Sequence, residues 1–320
     1  MSLFEKFYTL FILLAAAIGI SAGQIDVLHA NAENFVVPLL AAMLYNTFLQ
    51  IPSKETTQVF SNIKFTCTSL LINFVWTPLL AWLLAYLFLG DQPALYIGFI
   101  MLMVTPCTDW YLVFTGIAKG NVALATAILP VNLMFQIILL PFYLLVFAGK
   151  TGVIELSFLL ESVLLVLLLP LLLAAFTKKL LKKHKKLSEK VLSKTSKLPA
   201  PLLCLAIIAL FASQGQLLVK NLDLLWQLFI PILLFFTVNF ILGQKAGQLL
   251  KFTYEESASL SMTTLARNSP IALAIAMTAF PDQPLIALTL VIGPLLELPI
   301  LALAAQALLS IRKKEEKAPH

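Results

Sequence analysis

The sequence predicts an all-α, polytopic membrane protein, and three observations carry that prediction. Of the 320 residues, 60% are apolar and only 12% charged, and the mean hydropathy is +0.94, a composition far outside that of soluble domains. Apolar runs of about 18 residues or more recur along the whole chain, long enough to cross roughly 30 Å of hydrocarbon at about 1.5 Å per residue. The segments between these runs are short, so no soluble domain is expected.

Ten spans are predicted, at 7–25, 34–51, 68–89, 93–118, 121–147, 155–176, 199–216, 222–243, 257–279 and 285–311. The first follows Lys6 and has a signal peptide's general form, but removing it would destroy the symmetry set out below. The fourth and ninth are interrupted by "VTPCTD" and "LARNSP". The fifth begins just beyond Lys119-Gly120, and the sixth runs into the basic stretch Lys178–Lys190. With ten spans both termini share one side of the membrane. All 22 Lys and Arg residues except Lys150, Lys220 and Arg267 fall on that side, which the positive-inside rule makes cytoplasmic. The net charge of +6 is therefore a topology signal rather than a nucleic-acid surface. The stretch Lys178–Lys190 is expected to lie against anionic lipid headgroups.

Internal repetition accounts for the number ten. Pro106 and Pro130 are 24 residues apart, as are Pro270 and Pro294, and the pairs are offset by 164. "PLL" at Pro38–Leu40 and Phe48 recur at Pro201–Leu203 and Phe211, offset by 163. The chain thus divides into 1–150 and 151–320, joined by a Lys-rich cytoplasmic linker at 177–198. Because five spans per half is odd, the second half enters the membrane from the opposite side, the inverted repeat of secondary transporters. Pro106 and Pro270 break the fourth and ninth spans, since proline removes an amide and clashes with the preceding turn. Backbone freed in this way survives at membrane depth only inside protein or beside a wet cavity. The two breaks are therefore expected to cross near the centre, each presenting a half-helix N-terminus.

Several polar residues count to within a few Å of the bilayer centre at about 1.5 Å per residue: Cys107, Asp109, Asn132, Arg267, Asn268, Ser269 and Glu297. Charges at that depth are expensive and face one another or water. Arg267 and Asp109 are expected to pair. Glu297 then has no evident partner, because Glu161 falls in the outer third of its span, and an unpaired carboxylate at that depth is the first candidate for a proton-coupling residue. Cys107 reads either as a small buried hydrophobe or as a reactive thiol at the electropositive start of the helix that follows Pro106. A thiol is the soft ligand that a trivalent metalloid prefers, and a single thiol captures it reversibly. Asn132 and Gln136, one helical turn apart, either line the cavity or satisfy backbone freed by Pro130. The three cysteines lie far apart and no histidine falls in a span, so neither a disulfide framework nor a metal site is expected. No nucleotide-binding Gly-x-x-x-x-Gly-Lys run is present, which points away from ATP drive. An intramembrane enzyme would need a nucleophile and base that Cys107 and Asp109 scarcely provide.

At these residues the chain resembles the bile acid:sodium symporter superfamily. The likeness covers nearly the whole length and is densest in "TPCTDWYLVFTGIAKGNVALA" (Thr105–Ala125), "TTLARNSPIALAIA" (Thr263–Ala276) and "VIGPLLELPIL" (Val291–Leu301). The resemblance implies two inverted five-helix repeats, forming a panel and a core domain with two crossing broken helices. Within the superfamily the chain is most similar to the arsenite-efflux branch, through Pro106-Cys107-Thr108, Lys119-Gly120, Asn132 and Gly293-Pro294-Leu295-Leu296-Glu297-Leu298-Pro299. That likeness implies that Cys107 handles the substrate. Two departures stand out. Ile271 replaces the branch's glutamate inside the second break, leaving Asp109, at a position usually small, as the substitute. Tyr111, Leu112, Thr263 and Arg267 occupy the positions that hold cations in the sodium-coupled branch, and an arginine there argues against that sodium site.

The expectation is therefore a proton-coupled inner-membrane transporter, not an enzyme and without a cofactor, exporting a trivalent metalloid oxyacid such as arsenite. Cys107, Thr108, Asn132, Asn268 and Ser269 would bind substrate, while Asp109, Glu297 and Arg267 would couple it to protons. The alternative keeps the fold and changes the cargo to a small organic anion held by the positive half-helix ends and Arg267.

Overall fold

In the computed structural model, residues 8–51, 62–108, 110–149, 156–182, 185–220 and 223–315 are described. Asp109, Lys183, His184, His320 and the junction at 150–151 lie outside them. The described residues are helical throughout, apart from turns and one isolated two-residue bridge. Seven helical stretches are long and apolar enough to cross a membrane, and three further apolar helices are shorter. The chain is a polytopic membrane protein.

In chain order the helices are α1 (Tyr8–Ala22), α2 (Asp26–Gln50), α3 (Ile63–Leu71, continued through Ile72–Trp76 into Thr77–Leu89), α4 (Pro93–Met103) and α5 (Trp110–Ile117). Then come α6 (Val122–Ala148), α7 (Leu156–Val163, continued through Leu164–Leu168 into Leu169–Leu181), α8 (Lys185–Thr195) and α9 (Pro199–Lys220). The last four are α10 (Asp223–Leu249), α11 (Tyr254–Leu265), α12 (Ser269–Ala279) and α13 (Pro284–Glu315). The predicted fourth and ninth spans are thus each two helices, α4 with α5 and α11 with α12. The basic linker is itself a short helix, α8.

The packing forms two walls. α2 and α9 run antiparallel along each other, with α1 against α9 and α7 against α2. Glycine permits this closeness: a Cβ on Gly19 would lie 2.6 Å from the Ile208 carbonyl oxygen, the small-residue packing that brings membrane helices together. In the second wall α4 packs on α13 and α3, and α10 on α11. A Cβ on Gly98 would meet Thr289 at 2.8 Å. The walls touch where α12 packs against α2 and α7, and α13 against α1 and α9.

Proline shapes the second wall locally. In α3 the turn Ile72–Trp76 widens to π-helical spacing, and Pro78 cannot donate to the carbonyl of Phe74. The Tyr143 hydroxyl of α6 donates to that carbonyl instead. Pro294 in α13 likewise leaves the Leu290 carbonyl without its helical donor, and the Ser269 hydroxyl takes its place. In each case a side chain from a neighbouring helix satisfies backbone that hydrocarbon would leave bare.

Candidate functional site

The two breaks lie side by side and are joined by main chain. Pro106 and Arg267 form an antiparallel bridge. The Cys107 amide donates to the Ala266 carbonyl at 3.0 Å and the Asn268 amide to the Thr105 carbonyl at 2.7 Å. Each extended segment thereby satisfies the other's backbone, which is how non-helical chain persists inside a bundle with such an apolar interior. The Thr105 hydroxyl donates to Met101 and Leu102 carbonyls at 2.9 and 3.0 Å, closing the end of α4. The Asn268 side-chain oxygen Oδ1 caps α12 by accepting from the Ile271 amide at 3.2 Å, while the side-chain Nδ2 donates to the Thr108 hydroxyl at 3.2 Å. Pro270 sits in the first turn of α12, where its missing N–H has no helical role to lose.

Arg267 is the hub of this junction. Its side chain is 2% exposed, at a depth where an unsatisfied guanidinium would be prohibitive. Nη1 donates to the Met103 carbonyl at 3.0 Å, at the end of α4, and Nε to the Leu265 carbonyl at 3.0 Å, at the end of α11. Nη2 reaches the Thr264 carbonyl and also the Asn73 side-chain oxygen at 3.2 Å, in the widened turn of α3. The Phe235 ring covers the guanidinium at 5.5 Å. The positive charge therefore rests between the C-terminal ends of two half-helices, where the partial negative charge of each dipole lies.

Glu297 corrects one expectation. It has a partner: its Oε1 accepts from the Arg267 backbone amide at 2.7 Å. An Asp109–Arg267 pair cannot be described, because Asp109 lies outside the described residues. Among the described residues the Arg267 guanidinium donates to three carbonyls and an asparagine.

Beside the junction a cavity of about 740 Å³ opens between the two walls. Its floor is Cys107, Thr108, Arg267, Asn268, Ser269 and Glu297. The facing wall comes from α2, through Met43, Leu44, Thr47 and Gln50, and from α9, through Ala200 and Leu203. The cavity reaches Ser196 and Lys197, at the basic ends of these helices. Six of the predicted site residues thus come together with the two breaks.

Asn132 does not join them. It is buried on α6, is absent from the cavity lining, and neither of its side-chain polar atoms has a hydrogen-bond partner among the described residues; the same holds for Gln136. Neither of the two expected roles, lining the cavity or satisfying freed backbone, is seen. Conversely, sequence reasoning missed Thr47, whose buried hydroxyl lies on the cavity wall without a partner among the described residues. Its signal was available in the helical spacing of Met43, Thr47 and Gln50, one face of α2 with two polar members.

A chamber between two helical walls, floored by paired breaks in membrane-embedded helices, is the build of a membrane transporter, and known proteins agree. Residues 37–221 match the Sodium Bile acid symporter family, and the chain belongs to that family. It is 28% identical to the Arsenical-resistance protein Acr3 of Corynebacterium glutamicum, over 98% of this chain and 90% of that protein. It is 26% identical to the uncharacterized transporter slr0944 of Synechocystis, over 96% of this chain and 88% of that one. These relatives are transporters and resistance proteins, not enzymes.

Proposed function

We propose that this protein exports arsenite, or a related trivalent metalloid oxyacid, by proton-coupled alternating access. The observation that carries the reading is Cys107, a thiol on the floor of the chamber at the junction of the two breaks, in a chain related over nearly its whole length to an arsenical-resistance protein. Neutral arsenous acid condenses with the thiol: an As–S bond forms, an As–O bond breaks, and the departing hydroxide leaves as water with the thiol proton. No electron transfer is involved, and hydration reverses the step. Thr108, Asn268 and Ser269 stand beside the thiol to hydrogen-bond the remaining hydroxyls.

In this reading the chain forms ten spans in two inverted repeats, 1–150 and 151–320, with α1, α2, α7 and α9 as the panel and the remaining spans as the core. The chamber reaches toward Ser196 and Lys197, which supports an opening on the cytoplasmic side, with both termini on that side and cargo loading from the cell interior. The stretch Lys178–Lys190 rests against anionic headgroups. Glu297, and Asp109 from outside the described residues, exchange protons with the far side. The Arg267 guanidinium holds the half-helix ends together and replaces any need for a metal cation there. An organic-anion importer is less well supported, because the four hydrogen bonds that Arg267 makes to protein leave little of it for a carboxylate.

The test is growth of a host lacking its own arsenite exporters. The chain should restore resistance to arsenite and antimonite, and Cys107→Ser, expressed at equal level in the membrane, should abolish it. Full resistance in the serine variant would end the reading.

A further inference from the structure

The chamber is far larger than the cargo assigned to it. Arsenous acid has four heavy atoms and occupies about 120 Å³, taking roughly 30 Å³ for each on the scale of water. That is about a sixth of the 740 Å³ available, a volume in the range that holds drug-sized organic molecules. The chemistry of the surface is divided as well. Polar groups are gathered on the floor at Cys107, Thr108, Asn268 and Ser269, while much of what faces them is apolar: Met43 and Leu44 on α2 and Leu203 on α9, with Leu298 on α13 adding apolar surface beside Glu297. Thr47 and Gln50 interrupt the α2 face, and the buried Thr47 hydroxyl has no partner among the described residues. A small trihydroxy acid would leave this apolar wall in contact with water alone, an unfavourable arrangement for surface of that kind.

We infer that the same site carries trivalent organoarsenicals, R–As(OH)2 with R a methyl or phenyl group, an assignment that rests on the arsenite reading above. The arsenic binds Cys107 by the same exchange: one As–O bond breaks, the As–S bond forms, water leaves and the As–C bond stays intact. One thiol suffices, since a single exchange leaves one hydroxyl and the organic group on arsenic. The hydroxyl then has Thr108, Asn268 or, across the chamber, Thr47 as partners. The organic group lies against Met43, Leu44 and Leu203 on the facing wall. Neither organic group carries a charge, so none has to be accommodated beside Glu297.

The experiment uses everted membrane vesicles from a host lacking arsenic exporters, with total arsenic inside measured by mass spectrometry. Arsenite, methylarsenous acid and phenylarsenous acid are compared, and Cys107→Ser vesicles give the passive background. All three forms should accumulate above that background. Leu203→Trp and, more mildly, Leu44→Phe fill the chamber from two different helices, and each should lower the phenylarsenous-to-arsenite ratio, by about tenfold for the tryptophan. Reading the ratio removes differences in folding and expression between variants. If arsenite accumulates while phenylarsenous acid stays at the serine background, the inference falls and the arsenite reading survives. If neither form exceeds the background, both fall. A ratio unmoved by both variants would also overturn the assignment of the organic group to this wall.

Discussion

Replacing Arg267 with methionine, which is similar in length but lacks donors, tests the description of the junction directly. The guanidinium makes four hydrogen bonds, to the carbonyls of Met103, Leu265 and Thr264 and to Asn73. Two of these acceptors have no obvious substitute, because their helical donors are engaged elsewhere. The Cys107 amide, which would serve Met103, is bonded to Ala266, and the Asn268 amide, which would serve Thr264, is bonded to Thr105. Each buried acceptor left unpaired costs roughly 1–3 kcal/mol, so two that stay bare and two that find chamber water give about 4 kcal/mol, close to the 3–5 kcal/mol typical of breaking a buried ionic contact from one side. For a chain of this size that corresponds to a fall in Tm of about 8–16 °C, at about 2–4 °C per kcal/mol. The assay is thermal unfolding of purified protein in detergent, with Arg267→Lys as the intermediate case that keeps a charge but loses the planar fork. A methionine variant melting within about 2 °C of the parent would show that the guanidinium does not hold the half-helix ends.

Two further outcomes follow from the geometry. In everted vesicles an acid interior should drive arsenite accumulation, because protons leave as cargo enters; Glu297→Gln should lose this drive while retaining arsenite counterflow, and accumulation powered by a sodium gradient alone would remove the proton reading. Tyr143→Phe deletes the hydroxyl that serves the Phe74 carbonyl opposite Pro78, and should lower stability by about 1–2 kcal/mol, read as a few degrees of Tm with transport otherwise intact.

The breaks were legible in the sequence because proline acts through its own covalent structure: Pro106 and Pro270 announce missing amides wherever they fall. That Cys107, Arg267 and Glu297 gather at one buried site was legible too, since rise per residue converts positions into comparable heights. The partners of Arg267 were not. Three of them are main-chain carbonyls, present at every residue and therefore invisible in a string of letters, and the fourth, Asn73, lies 194 positions away in a turn whose widening nothing in the local composition marks. Glu297 was misread for the same reason, as its partner is the Arg267 amide rather than any side chain. Asn132 shows the reverse failure: polar letters at the right height suggested the cavity, but height does not fix which way a helix face points.

The two rungs that join the breaks, from Cys107 to Ala266 and from Asn268 to Thr105, are indifferent to side-chain identity. Mutation can therefore rewrite the Cys107 thiol without touching the main-chain rungs that display it. A lineage built on such a knot is free to trade one payload for another while its scaffold stays put.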